Sequence, residues 1–430
     1  MRRLVILLIV CLAILSNILA FTRADAAAQK IQTFEIKGAI VPVTADYVDR
    51  AIGVAEDNDA ICIILMDTPG GLGTAMEEIC QRIINSKVPV IVYVVPGGWA
   101  ASAGTYISMA AHIAAMGPGS TIGAASPIAS SGEELPETAK KKAIEFYQDY
   151  LASLAAIRDH NVDWAREAVV DSIAATADEA LAENVIDILA SDFDDLVGKI
   201  DGLTITLTGD KQVTLDTTGS VVSQFPMNLA ERFLLAISDS NVAYILLSLA
   251  MLGIFMELSN PGSIFPGVIG GILLLLAFYS LSMLSAQWSG ILLIVLACVL
   301  FILEAFVTSG GLLAAGGVAS LVIGSLVLFS GHPAIFQINP WLIAGVATSL
   351  SLFFLFVITA IIRAHRRQPA TGAEGMLNEL AVAKTVLNPV GTVFLHGENW
   401  NAMSDGGKIE EGQEVKVTKV EGLKLRVKKT

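Results

Sequence analysis

No lysine or arginine stands anywhere between Arg232 and Arg363, and the acids in that block after Asp239 are Glu257 and Glu304 alone. A helix in water needs a polar face, so so long and uncharged a stretch fits a hydrocarbon solvent. Breaks at Asn260-Pro261-Gly262, Gln287-Trp288-Ser289, Thr308-Ser309-Gly310-Gly311 and His332-Pro333 divide it into five apolar runs. These are Val242–Leu258, Ile264–Leu284, Gly290–Phe306, Leu312–Phe329 and Trp341–Ile362. Several lie near the roughly 17-residue lower limit for crossing a bilayer, which leaves four or six spans open. Glycine faces at Gly267, Gly270 and Gly271, and at Gly316, Gly317 and Gly324, suit close helix packing in lipid. Glu304 is a costly charge at depth; its place near a span end predicts a side chain that reaches the interface, with a partner inside the bundle as the other reading.

The flanks orient this block. Arg2-Arg3, the apolar run Leu4–Ala20 and the small-x-small site Ala24-Asp25-Ala26 read as a secretory signal over residues 1–26, with an uncleaved anchor as the alternative. Arg363, Arg366 and Arg367 close the last run as a positive stop, which places the C-terminus in the cytoplasm. Five crossings then put residues 30–235 outside the cytoplasm. The net charge of −14 divides accordingly, +3 from Arg363 onward and −17 before it. An acidic outer part and a basic inner tail point to a multi-pass plasma-membrane protein in a lipid bilayer, and nothing in the charge pattern points to nucleic acid. Cys62 and Cys80 are too few for a disulfide framework or a metal site; they read as small apolar residues, and no metal or cofactor is expected.

Before the membrane block, strand and helix patterns alternate. Ile31–Ile40, Ala60–Met66 and Val88–Val95 read as strands. Thr44–Asp57, with Thr44 as cap, and Thr74–Ser86 read as helices. Near-continuous apolar strands alternating with helices predict a parallel sheet covered on both faces, with functional loops at the carboxyl ends of the strands. A long helix over Pro136–Asp159, a capped helix at Thr176–Leu181, a short strand Val185–Leu189, a hairpin around Gly209-Asp210 and an amphipathic segment Asn228–Ile237 follow. After the membrane block at 240–363, short strands broken by Gly391, Gly397, Gly406-Gly407, Gly412 and Gly422 predict a five-stranded OB-type barrel over 372–430, a docking module.

Chemistry concentrates between Met66 and Pro127. The strand Ala60–Met66 ends in Pro69-Gly70-Gly71, where glycines let backbone N–H groups approach a substrate oxygen. The strand Val88–Val95 ends in Pro96-Gly97-Gly98 and delivers Ser102 within Ala100-Ala101-Ser102-Ala103-Gly104. An uncrowded serine at a strand-to-helix turn beside such a glycine pair is a plan for acyl transfer. Its base is not settled by spacing. On one continuous helix His112, ten residues on, would lie about 15 Å along the axis from the serine, and it reads as a packed or surface histidine. Lys140-Lys141-Lys142 open the long helix; they point about 100° apart, so at most one can face the serine, and a solvated basic helix start is the other reading.

The combination of MDTPGG, AASAGTYI, GPGSTIGAASP, the DEAL segment, a membrane bundle and a terminal barrel resembles the long-form NfeD family over nearly the whole chain. The resemblance implies an α/β ClpP/crotonase-like domain, an α-helical transmembrane bundle and a small all-β OB-like barrel. It implies a membrane-bound serine protease of the ClpP and signal-peptide-peptidase-A class, with stomatin-like proteins as partners, and a homo-oligomer is expected. Carried over residue by residue, it implies Ser102 as nucleophile, Lys142 as base through the match at Tyr150–Ala155, and the backbone N–H groups of Gly71 and Ala103 as oxyanion donors. Ser126 stands where histidine-dependent relatives carry their base, which supports a dyad; Lys140 and Lys141 leave the register open. Two other readings keep the fold. One is a membrane scaffold that organises stomatin-like partners without catalysis, and the other a crotonase-type acyl-CoA enzyme, against which the secretory signal and the serine both weigh.

Overall fold

The computed structural model describes residues 29–127, 136–259, 262, 264–284, 286–307, 309–330, 336–365 and 375–430. The expected signal segment, the breaks at Asn260-Pro261, Thr308 and His332-Pro333, and Arg366 and Arg367 lie outside these residues. Two compact units divide the chain: Met1–Leu350, and Ser351–Thr430.

The first unit opens as strand–helix–strand: β1 (Ile31–Lys37), α1 (Pro42–Asp57), β2 (Ile61–Asp67), α2 (Gly73–Ile84), β3 (Val90–Val94). Then come β4 (Trp99–Ala101), α3 (Ala103–Ala110), β5 (Ile113–Met116), β6 (Thr121–Gly123), α4 (Glu137–Ile157), α5 (Val162–Val170) and β7 (Ala174–Thr176). The domain closes with α6 (Ala177–Ala182), β8 (Ile188–Leu189), α7 (Phe193–Ile200), the hairpin β9 (Thr204–Leu207) and β10 (Lys211–Thr214), and β11 (Val222–Gln224). Six strands form one sheet in the order β11-β1-β2-β3-β5-β8, each neighbouring pair parallel. Alternation along β2 explains why both faces are apolar. Cys62, Ile64 and Met66 join the core under α1, α2 and α3, whereas Ile61 and Ile63 join a second core with Leu196, Ile200 and the hairpin.

The predicted elements are present with shifted ends. Thr44 is not the cap of α1: Pro42 takes the first helical position, where its missing N–H costs nothing, and Thr44 Oγ1 accepts from Val41 N–H at 3.4 Å. Two features were not foreseen. A second, three-stranded sheet, β4-β6-β7, stands at the carboxyl side of the first, and β11 pairs with β1 across most of the domain's sequence.

An amphipathic helix, α8 (Leu229–Ile237), leads to α9 (Ser240–Ser259), α10 (Phe265–Met283), α11 (Trp288–Phe306), α12 (Leu312–Leu328) and α13 (Pro340–His365). The first two are long and apolar enough to cross a bilayer, and Trp288–Glu304, Leu312–Leu328 and Pro340–Phe356 are shorter apolar stretches. Helices approach closely at glycine: a Cβ on Gly253 would lie 2.9 Å from Gly270 Cα, and one on Gly290 would lie 2.5 Å from Leu328 Cα. Gly271, read as part of such a face, meets nothing within 4 Å. Glu304 does not reach outward. Its carboxylate accepts from the Ser309 hydroxyl, from Gly311 N–H at 3.0 Å and from Ala314 N–H at 3.2 Å, and so caps the start of α12.

The second unit holds the end of α13 and a closed barrel, β12-β13-β14-β16-β15, built from β12 (Leu380–Ala383), β13 (Val390–Leu395), β14 (Glu398–Ser404), β15 (Glu414–Glu421) and β16 (Lys424–Lys429). Its inward positions, Val393, Leu395, Val415, Val417, Leu425 and Val427, form the core that alternation predicts. The architecture is thus the expected one in its layers: an α/β domain on a parallel sheet, a region of apolar helices and a small closed barrel.

Candidate active site

Ser102 sits between the last residue of β4 and the first of α3 with φ 53° and ψ −115°. That conformation costs a non-glycine residue about 1–3 kcal/mol and persists only where surroundings impose it. Here they do. Ser102 N–H donates to the Gly123 carbonyl at 2.9 Å, which ties the turn to the second sheet. The buried Thr105 hydroxyl lies 2.9 Å from the Ala100 carbonyl and 3.0 Å from the Gly123 carbonyl, and accepts from Gly123 N–H at 3.1 Å. Thr105 carries no signal in the sequence, where Ser102, Tyr106 and Ser108 supply hydroxyls as near to hand.

The glycine turn is stitched to the same place. Thr68 N–H donates to the Trp99 carbonyl at 2.7 Å and Ala101 N–H to the Thr68 carbonyl at 3.1 Å, while Thr68 Oγ1 accepts from Gly70 N–H at 3.1 Å. Gly70, at φ 113°, therefore lies against the serine: a Cβ there would stand 3.2 Å from Ser102 Oγ. Gly71 packs its α-carbon on the Ile40 backbone. Among the described residues neither Gly71 N–H nor Ala103 N–H donates a hydrogen bond. The structure thus sets the glycine turn, through Gly70, against Ser102, and Ala103 follows the serine as the first residue of α3.

Lys142 is not joined to them by any contact among the described residues. It is exposed on the second turn of α4, as are Lys140 and Lys141, and Lys141 Nζ lies 3.8 Å from Glu145 across the helix surface. The stripe of α4 that packs inward runs through Ala143, Ile144, Tyr147, Leu151 and Leu154. By helical spacing Lys140 continues that stripe, seven residues before Tyr147, and Lys142 projects about 140° away. Aromatic contacts bind α4 to α3: the Tyr106 ring stacks on Tyr150 at 5.9 Å, and its hydroxyl donates to the Ala125 carbonyl at 3.1 Å. Burial pushes the Tyr106 hydroxyl well above the usual tyrosine range, which keeps it a donor.

The remaining candidates are structural. The Ser126 hydroxyl bonds the Val169 carbonyl and meets Ser172 Oγ at 2.6 Å. His112 Nδ1 accepts from Val90 N–H at 3.1 Å at the opposite, amino end of the strands, and burial, with Arg158 adding to it, drives its pKa down to about 3. His160 Nε2 lies 3.3 Å from Asp187 Oδ1 without hydrogen-bond geometry. Cys62 and Cys80 are buried, and burial pushes both thiols up, consistent with packing residues. Among the described residues no three His, Cys, Asp or Glu side chains are grouped to hold a metal.

Residues 30–202 match the NfeD1b N-terminal domain, 241–360 the NfeD integral membrane domain and 373–429 the NfeD-like C-terminal, partner-binding domain. The chain is 36% identical over 439 residues to the membrane-bound protease PH1510 of Pyrococcus horikoshii, covering 99% of this chain and 98% of that one. It is 27% identical over 443 residues to the membrane protein NfeD1b of Bacillus subtilis, 94% of each being covered. A solved structure, the 1510-N membrane protease specific for a stomatin homolog from Pyrococcus horikoshii, is 35% identical and covers 50% of this chain and 100% of its own, with a TM-score of 0.44. With a relative of that identity matched along its whole length, the chain belongs to the long-form NfeD family of membrane proteins.

Proposed function

We propose that the protein is a membrane-anchored serine endopeptidase in which Ser102 attacks the peptide carbonyl and Lys142 takes its proton. One observation carries this: Ser102 is held at positive φ on a strand-to-helix turn with the Gly70 backbone against it, and among the described residues the neighbouring Gly71 and Ala103 N–H groups donate no hydrogen bond. The attack forms a bond from Oγ to the carbonyl carbon, and the developing oxyanion is met by those two N–H groups without reorganisation. Collapse of the intermediate releases the amine, which takes up the proton that the lysine received, and water then hydrolyses the acyl-enzyme.

The substrate on this reading is an apolar segment of a stomatin-like, membrane-associated protein, in keeping with what the archaeal relative is named for. The chain is organised as a protease domain over 30–235, a membrane region over 240–363 and a barrel over 372–430. The protease domain faces the cell exterior or periplasm, and the barrel docks a partner in the cytoplasm. The test is cleavage of such a segment by the reconstituted full chain, together with labelling by a serine-directed fluorophosphonate. Wild type should cleave and label, and Ser102→Ala should do neither. A folded, membrane-inserted sample that neither labels nor cleaves supports instead a non-catalytic scaffold for the same partners, which the partner-binding description of the C-terminal domain favours.

A further inference from the structure

Helix α8 turns its apolar side away from the protein. Leu229 is 85% exposed and Phe233 51% exposed, and with exposed Ala236 they fall within an arc of about 60°. The opposite side is clamped. Glu231 is buried, accepting from Arg50 Nε and Nη2, each at 2.6 Å, while its Oε2 accepts from Asn228 N–H at 2.7 Å. At the other end the Ile237 carbonyl accepts from the Ser280 hydroxyl of α10. The helix cannot roll to bury Leu229 and Phe233 without breaking these contacts. Exposed apolar faces of this kind mark contact with something other than water.

What covers that face follows from its position. Only Ser238 and Asp239 separate α8 from α9, and the integral membrane domain begins at residue 241. The same end of the bundle carries the starts of α11 and α13, since Gln287 N–H donates to the Leu328 carbonyl at 3.0 Å and Asn339 N–H to Asn241 Oδ1 at 2.8 Å. There Trp288 is 77% exposed and Trp341 85% exposed. Bulky aromatics exposed at one end of a membrane bundle sit where ring and headgroup meet. The apolar face of α8 is thus continuous with the lipid-facing surface of the bundle.

We propose that α8 lies flat in the outer headgroup region of the bilayer, with Leu229 and Phe233 among the acyl chains and Arg232, at the edge of the face, among the phosphates. The bidentate Arg50–Glu231 pair then transmits that contact to α1, so the domain carrying Ser102 rides on the membrane at a fixed height. The test uses the full chain in vesicles of phosphatidylcholine and phosphatidylglycerol, with Phe233→p-benzoylphenylalanine as a photo-reactive probe. Irradiation should yield lipid adducts at position 233, and none when the same probe replaces Asp210 on the hairpin. A cross-linked dimer, an adduct to another segment of the chain, or no adduct at 233 would overturn the assignment. The Ser102→Ala background should give the same pattern, so the result does not depend on proteolysis.

Discussion

The backbone of Gly70 runs so close to Ser102 that a Cβ on it would stand 2.7 Å from the serine Cβ. Because φ at Gly70 is 113°, an alanine there meets both a forbidden conformation and an occupied space. Gly70→Ala should keep the fold, since only the turn must shift, yet displace Gly71 N–H from the oxyanion position proposed for it. The fluorophosphonate labelling rate is expected to fall about 100-fold, the size of losing one oxyanion donor. Labelling within a factor of about three of wild type would sink this role for the turn.

The lysine register is decided by three single substitutions. Lys142→Ala should abolish peptide cleavage, and Lys141→Ala should leave it unchanged. Activity that survives Lys142→Ala and is lost in Lys140→Ala would move the base to the lysine in register with Tyr147.

His112 predicts how the protein responds to acid. Its folded pKa, about 3, lies below the unfolded value of roughly 6.5, so the unfolded chain binds the proton first. The contribution is fully present above pH 6.5 and is lost as pH falls from there toward about 3, at roughly 1.4 kcal/mol per unit. His112→Gln should flatten thermal midpoints measured between pH 6.5 and 4. An unchanged slope would show that the protonated ring is accommodated.

Glu304→Leu removes the acceptor that serves Gly311 and Ala314 N–H and leaves both in an apolar surrounding. The cost should be about 1–2 kcal/mol, seen as faster thermal inactivation in detergent, with Glu304→Gln intermediate because it keeps one acceptor oxygen. A stable Glu304→Leu variant would mean that the cap is dispensable.

Orientation is tested from outside. Protease added to spheroplasts should digest a tag inserted near Asp210 and spare one after Thr430. Protection of both or exposure of both would require an even number of crossings.

Much of this protein is legible from local composition, because two of its environments act on every residue they touch. Lipid excludes charge, so the block from Val242 to Ile362 declares itself, and the ends of α9 to α12 fall within two residues of the apolar runs read from it. A sheet covered on both faces demands continuous apolar strands, so β1, β2 and β3 are recognisable, and the glycines and serine that follow them mark the site. The second sheet is not legible in this way. Its strands, Trp99–Ala101, Thr121–Gly123 and Ala174–Thr176, are three residues each, too short to carry a period, and only their mutual hydrogen bonds define them. Thr105 matters through those bonds, and Glu304 caps a helix only because the chain folds back past Ser309. What the amino-acid sequence determined by itself was what each segment is dissolved in. Which backbone group meets Ser102, and on which side of α4 each lysine projects, only the tertiary structure decided, because a hydrogen bond depends on the direction of approach and composition carries none.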